Sequence, residues 1–136
     1  MYSCVTQNLI RMKSSFLTFL FLLATTLLYS QNFEELNDKV VSSFQQGNYV
    51  EALTYAQESV KAAKKEFGVK SGNYGISLFN VANIKHTLGD HTEALPLFEE
   101  AIKILKPVLG EDDEDFILYQ AFLANEYAEL ERYEEA

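Results

Sequence analysis

The stretch Gly89–Leu95, GDHTEAL, decides the fold because the chain repeats it at a fixed step. It matches Gly47–Leu53, GNYVEAL, 42 residues earlier, and Glu131–Ala136, ERYEEA, begins 42 residues after Gly89. A regular period of about 20–50 residues indicates stacked supersecondary units, each of which buries its apolar face against its neighbours. The third copy stops where its second helix should begin, so we expect the chain to be the front of a longer protein.

Residues 1–30 differ in character from the rest of the chain. Arg11 and Lys13 precede an apolar run at residues 16–29. A basic flank before about 7–15 apolar residues is the layout of a secretory signal peptide, and a membrane span needs roughly 20 residues. We therefore predict a signal peptide over residues 1–30 and an exported protein, periplasmic, envelope-associated or secreted. An uncleaved membrane anchor is the alternative, and Met12 is a second candidate start.

The charge of the remaining segment, residues 31–136, bounds its partners. Removal of residues 1–30 leaves 9 basic and 20 acidic side chains, a formal charge of −11. Such a surface repels nucleic acid and anionic lipid, because affinity for both depends on Lys and Arg. We predict no nucleic-acid partner and no membrane contact beyond the signal segment. The chain's one cysteine, Cys4, lies in the removed segment, so no disulfide framework is expected.

From Asn32 onward the apolar residues recur with helical periodicity, and no segment alternates as a strand would. Glycines are expected to end the helices, and Pro107 is expected to kink or finish the fourth. Pro96 is tolerable near the start of that helix. Helices joined by such short breaks pack antiparallel to their neighbours. The pattern predicts five helices, near residues 33–46, 49–67, 74–88, 92–106 and 115–130, with a sixth opening at Tyr133.

Small residues recur where neighbouring helices must approach closely. Ala52 and Ala94 stand at one such position in the second helix of each pair, and Ala82 and Ala124 at another in the first. A large side chain there would hold the helices apart, so we expect these alanines to be buried.

Together these features resemble a tetratricopeptide repeat of the 42-residue variety, similar to that of kinesin light chains. The resemblance covers nearly all of residues 33–136. It implies an all-α fold of antiparallel helix-turn-helix repeats stacked as a right-handed α-solenoid. It divides the chain into a degenerate first repeat (31–72), a complete repeat (73–114) and a truncated third repeat (115–136). The residues that carry it are Leu78, Val81, Ala82, Gly89, Asp90, Glu93–Ile102, Leu109, Gly110, Leu123, Ala124, Tyr127 and Tyr133–Ala136.

Two positions depart from this pattern. Lys39 stands where Val81 and Leu123 do, at a position that should be apolar. Lys85 stands where Tyr127 does, at a position that the family usually gives to a packing aromatic, and Ser43 holds that position in the first copy. The first repeat is therefore expected to be a degenerate cap.

In tetratricopeptide folds the first helix of each pair lines a concave channel that takes peptides. The resemblance implies that Asn side chains there pair with a partner's backbone, since each offers donors and an acceptor. It also implies apolar pockets at Phe79 and Phe122. The alternative is that these residues only fill or solvate the helix surface. The groove candidates are Asn37, Phe79, Asn80, Asn83, His86, Ala121, Phe122 and Asn125.

Two polar groups are of the residue types that bind metal ions. The acidic run Glu111–Asp115 lacks the alternating ligands and central Gly of a calcium loop, and carboxylates there can instead cap the fifth helix. His86 and His91 are five residues apart across a turn, not on one helical face, and no Cys or third His is nearby. Zinc needs three or four convergent ligands, so we predict no metal site and no cofactor.

The sequence contains no Gly-rich phosphate loop, nucleophile elbow or Cys/His pair, so no catalytic residue is predicted. The resulting hypothesis is a non-catalytic scaffold of an exported protein that binds a protein or peptide partner. The alternative is the N-terminal sensory or scaffolding region of a larger enzyme, such as a CHAT-type protease or a sensor histidine kinase. A further hypothesis is self-association through an exposed terminal helix.

Overall fold

The computed structural model describes residues 32–134, all of them in helices or the short turns between helices. The segment predicted as a signal peptide lies outside the described residues. Each helix contacts the next along the chain from α2 onward, and α3 also contacts α5. The all-α prediction is confirmed for these residues. The helices are α1 (residues 32–45), α2 (Tyr49–Glu66), α3 (Gly72–Leu88), α4 (His91–Leu109) and α5 (Glu114–Glu134).

The turns that end α1 and α3 are built in the same way, 42 residues apart. Gly47 and Gly89 have φ of 76° and 85°, a left-handed backbone that favours glycine. Each donates its N–H to the carbonyl three residues back, at 3.0 and 2.9 Å. The residue after each glycine donates to the carbonyl five residues back, at 2.9 Å in both turns. The repeat seen in the sequence is therefore a repeat of backbone hydrogen bonds.

The expected break near Glu131 does not occur. Residues 131–134 continue α5, whereas the sequence pattern predicted a sixth helix opening at Tyr133. Glu131 occupies the position that Gly47 and Gly89 hold in the earlier copies. Without a glycine, the left-handed turn is sterically costly, so the helix runs on.

Of the two outcomes expected at Pro107, the end of the helix does not occur there, because α4 continues through it to Leu109. Pro107 lies in the last turn of the helix, where its missing N–H removes a single hydrogen bond. The helix then ends as expected at Gly110, which has φ of 95° and donates its N–H to the Lys106 carbonyl at 3.0 Å. Pro96 is accommodated inside α4 as predicted.

The small residues do set the approach of the helices. Ala52, Ala82 and Ala94 are fully buried, as predicted. Ala124 is exposed instead, because no described helix packs on that face of α5. A closer approach, which the sequence analysis did not single out, lies at Gly75 in α3. A Cβ atom there would come within 2.9 Å of the fully buried Leu105 side chain of α4.

The apolar core forms two clusters. The first joins Phe33, Leu78 and Phe98 with their neighbours from α1 to α4. The second contains Val40 of α1 and Ile84 of α3, and it includes buried alanines of α2. Leu36 and Val40 are buried as the predicted α1 stripe requires, while Phe44 is half-buried.

The cap-like character of the first repeat shows at Lys39. This residue is exposed, pairs with Glu35 at 2.7 Å and lies 5.7 Å from the ring centroid of Tyr55. The position that should be apolar is thus turned to solvent in α1.

Candidate functional site

Three of the candidate groove amides lie on the surface of α3 and α5. Asn80 and Asn83 are half-buried, and Asn125 is exposed. Asn83 and Asn125 occupy the same repeat position on two helices that contact each other. No side-chain hydrogen bond within residues 32–134 engages any of the three amides. Their donors and acceptors are therefore available to a bound chain.

Asn37 is already engaged inside the protein. Its Oδ1 accepts a hydrogen bond from the Ser59 hydroxyl at 2.8 Å, and the Ser59 and Ser77 hydroxyls are 3.0 Å apart. Both serines are buried, so this contact joins α1, α2 and α3 by polar groups within the packed region. Asn37 therefore has a structural role, which differs from the predicted one in a groove.

Phe79 and Phe122 belong to an aromatic cluster rather than to a pocket. Phe79 is 6% exposed, and its ring centroid lies 5.2 Å from that of Phe98 and 5.4 Å from that of Phe122. Tyr119 is closer still, at 4.4 Å. The expectation that Phe79 receives partner side chains is corrected, because α4 and α5 already cover its ring. Phe122 is half-buried against the same core.

The exposed face of α5 carries apolar and polar side chains together. Leu118 is 53% exposed, and Ala121 and Asn125 are exposed as well. Spacings of three and four residues place these three side chains on one face of the helix. This face is the part of the predicted groove that a partner can reach most easily.

The two histidines converge on a buried carboxylate. Nδ1 of His86 contacts Oε2 of Glu126, and Nδ1 of His91 lies 3.0 Å from Oε1 of the same residue. The two ring centroids are 5.0 Å apart with the planes at 77°. Glu126 is fully buried, whereas the side chains of His86 and His91 are 25% and 12% exposed. We call these three residues the polar triad.

His86 and His91 do lie on different helices, as predicted, but the turn at Gly89 folds the start of α4 back onto the end of α3 and brings the two rings together. The third group, Glu126, then comes from α5. His86 is accordingly engaged within the protein as well as lying at a predicted groove position.

A signal for this cluster was present in the sequence. Glu126 stands 42 residues after Ile84, which is 1% exposed. A carboxylate at a repeat position that is otherwise buried requires polar partners. Searching the turn residues of the preceding repeat for such partners would have found His86 and His91.

The turn at Gly89 also carries a polar contact that has a counterpart one repeat earlier. Nζ of Lys85 lies 2.6 Å from Oε2 of Glu93, and in the first repeat the Ser43 hydroxyl donates to Glu51 at 3.2 Å across the equivalent turn. The hydrogen bond from Lys85 and its positive charge lower the pKa of the Glu93 carboxyl. Lys85 thus replaces the expected packing aromatic with a polar contact across the turn.

The acidic run serves the start of α5. Oδ1 of Asp113 accepts a hydrogen bond from the backbone N–H of Phe116 at 3.0 Å, and Glu111 pairs with Lys106 at 2.5 Å. A carboxylate at a helix N-terminus is favourable because of the unsatisfied N–H groups there. The capping interpretation is confirmed for Asp113.

Among residues 32–134, none of the helices combines the length and the apolar character that a membrane crossing requires.

The comparisons with known proteins agree with this architecture. A family model described as "Tetratricopeptide repeat" matches the chain twice, at residues 36–106 and 77–136. No curated protein matches the chain. The two matches span most of the chain and overlap at residues 77–106, which include most of α3 and α4. The chain therefore belongs to the tetratricopeptide repeat family, an all-α helical-repeat solenoid whose members generally act as scaffolds for protein–protein interaction.

Proposed function

We propose that the chain binds a protein or peptide partner without catalysis, along the surface formed by α3 and α5. The observation that carries this proposal is the set of amides at Asn80, Asn83 and Asn125, which make no side-chain hydrogen bond within residues 32–134. An amide that is engaged by no neighbour can pair with both the N–H and the C=O groups of an extended chain.

The same surface limits the chemistry of the partner. Leu118 and Ala121 flank Asn125 on α5 and offer apolar contact beside the amide. The chain carries a formal net charge of −9, so a partner with an excess of basic residues is favoured at long range. The proposed partner is thus a neutral or basic segment with at least one apolar anchor.

The test begins with peptides selected from a random library on the immobilised chain. The double variant Asn80→Ala, Asn83→Ala should bind the selected peptides at least about fivefold more weakly, since such contacts often contribute more than about 1 kcal/mol each. Helical circular dichroism should stay unchanged, because both side chains make no internal hydrogen bond within residues 32–134.

The matched control is Gln57→Ala, which removes an exposed amide from α2. This variant should bind the peptides as the parent chain does. Equal affinity of the parent chain and the Asn80→Ala, Asn83→Ala variant would overturn the assignment of this surface.

The proposal also covers where the scaffold is located, which variety of the repeat it uses and what kind of protein it belongs to. The basic flank and apolar run of residues 1–30 support export by a signal peptide, with an uncleaved anchor as the alternative. The 42-residue step supports the kinesin-light-chain-like variety of the repeat. Reading the gene beyond Ala136 distinguishes a pure scaffold from the front of a larger enzyme, such as a CHAT-type protease or a sensor histidine kinase.

A second candidate function is self-association through α5. Ile117 and Leu118 are each 53% exposed, and Tyr127 is 44% exposed. Exposed apolar side chains in one helix are a common feature of contact surfaces. A molar mass that rises with concentration in light scattering would favour this candidate.

A further inference from the structure

The polar triad brings together three side chains of the types that bind zinc. Two imidazoles with one carboxylate form a ligand set that holds zinc in proteins and leaves a fourth position for water. The ligands come from the last turn of α3, the first turn of α4 and the middle of α5. We propose that His86, His91 and Glu126 bind one divalent transition-metal ion of the zinc class.

The distances suit a single ion. The three ligand atoms lie within 4.8 Å of one another. Two ligands of a tetrahedral zinc ion are about 3.3 Å apart, given bonds of about 2.0–2.1 Å. Both imidazoles already direct Nδ1 at the carboxylate of Glu126. Rotations of the two rings and the carboxylate that move the ligand atoms by about 1 Å would make room for an ion between them. The ion would then replace the direct hydrogen bonds.

The charge of the cluster favours a cation. Glu126 is fully buried, and no Lys or Arg within residues 32–134 pairs with it. A buried carboxylate is costly unless an opposite charge and hydrogen bonds compensate for the lost water. A divalent ion supplies that charge and takes carboxylate and neutral imidazole as its ligands. The partial exposure of both histidines gives the ion a path from solvent.

The preceding repeat shows what these positions hold when no ligand is needed. Phe44 and Tyr49 stand 42 residues before His86 and His91, and their ring centroids are 5.2 Å apart with the planes at 62°. They pack against the cluster that contains Ile84, the counterpart of Glu126. We call Phe44, Tyr49 and Ile84 the apolar triad. All three of its positions carry metal-ligating side chains one repeat later.

The experiment uses the full chain with Cys4→Ser, which removes its one thiol, after treatment with a chelator. Titration with CoCl₂ should give the strong visible absorption of four-coordinate cobalt, saturating at one ion per chain. ZnCl₂ should then displace the cobalt and raise Tm, because an ion that binds only the folded chain stabilises it. Absence of both the visible bands and the Tm increase would overturn the proposal.

Two variants locate the site. His86→Gln and His91→Gln each keep a side-chain N–H that can donate to Glu126, but each loses the imidazole ligand. Each should reduce zinc affinity at least tenfold and abolish the cobalt bands, while circular dichroism confirms folding. Because the chain contains two histidines, their ring signals in NMR report directly on this cluster.

The matched control changes the acidic run instead. Asp112→Asn together with Glu114→Gln removes exposed carboxylates at the start of α5 and should leave the cobalt spectrum unchanged. Loss of binding in this control, or full binding in both histidine variants, would show that the metal sits elsewhere and would overturn the proposal.

Discussion

The apolar triad and the polar triad occupy the same three positions in successive repeats, yet they differ completely in chemistry. In both, two rings face each other across a glycine turn, at 5.2 and 5.0 Å. In both, the third side chain comes from the first helix of the next repeat and is buried, Ile84 at 1% and Glu126 at 0% exposure. The repeat therefore determines distance and burial, while the side chains placed there determine what the position does.

The two triads stabilise the stack in different ways. Burial of a side chain such as Ile84 contributes about 1.5–3 kcal/mol without any requirement on its neighbours. A carboxylate in the same place costs several kcal/mol unless its partners are present. The polar triad is therefore an interdependent unit, whereas each member of the apolar triad requires only apolar surroundings.

The largest change in stability is expected when a carboxylate is placed in the apolar triad. Ile84→Glu should lower the free energy of unfolding by about 3–5 kcal/mol, because the new charge is buried in the apolar cluster against which Phe44 and Tyr49 pack. Urea denaturation followed by circular dichroism measures the change.

Two further variants show whether the buried charge causes the loss of stability in Ile84→Glu. Ile84→Leu, a volume-conserving control, should cost less than about 1.5 kcal/mol. Adding Phe44→His and Tyr49→His to Ile84→Glu recreates the polar triad one repeat earlier and should recover much of the lost stability. No recovery would mean that more than these three positions is needed to support a buried carboxylate.

The reverse exchange is expected to have the next largest effect. The triple variant His86→Phe, His91→Tyr, Glu126→Ile converts the polar triad to the apolar one. In the presence of a chelator it should be about 1–4 kcal/mol more stable than the parent chain, since packed apolar groups often exceed a buried ionic network in stability. Urea denaturation with and without ZnCl₂ tests this, and the triple variant should not respond to zinc.

Glu126→Ile alone serves as the control for that exchange. It leaves both histidines without their carboxylate, so it should be less stable than the triple variant. A triple variant less stable than the metal-free parent would show that the polar triad itself stabilises the stack.

The smallest expected effect concerns the ion pair between Lys85 and Glu93. Lys85→Ser gives the second repeat the residue that Ser43 supplies in the first. The pKa of Glu93 is lowered from its ordinary value of 4.5 by Lys85, so the contact stabilises the fold above about that pH. The stabilisation is lost as pH falls through the lowered value. Urea midpoints should therefore differ slightly near neutral pH and converge as the pH falls below the lowered pKa of Glu93.

Lys85→Met separates charge from packing in this comparison, because it keeps the apolar stem of the half-buried lysine. It should reproduce the pH dependence of Lys85→Ser. A difference from the parent chain that persists unchanged once Glu93 is protonated would assign the effect to packing instead.

The helices were predictable because glycine marks their ends. At Gly47 and Gly89 only a left-handed backbone closes the turn, and this requirement is visible in the sequence. The prediction of a helix break near Glu131 is wrong for the same reason, because no glycine stands at that position of the repeat and α5 continues to Glu134. The close packing of α4 against α3 at Gly75 could not be predicted from the sequence, since a glycine inside a helix has several possible causes.

The candidate site was predicted in part. The placement of Asn80 and Asn83 in α3, and of Asn125 at the repeat position of Asn83 in α5, followed from helical periodicity and the repeat step. The burial of Phe79 and the meeting of His86 with Glu126 depend on how three helices stack. Periodicity within one helix carries no such information, and only the alignment of successive repeats does.

The anchoring of Glu126 also has a mechanical consequence. Apolar packing is non-directional, so two helices joined by it can slide slightly without losing much contact energy. Contacts to a carboxylate depend on angle, and a shift of α5 by one residue, about 1.5 Å, would disturb its bonds to both α3 and α4. The polar triad therefore resists sliding of α5 along the second repeat, in the way that the Asn37–Ser59–Ser77 hydrogen bonds resist sliding of α1, α2 and α3 past one another.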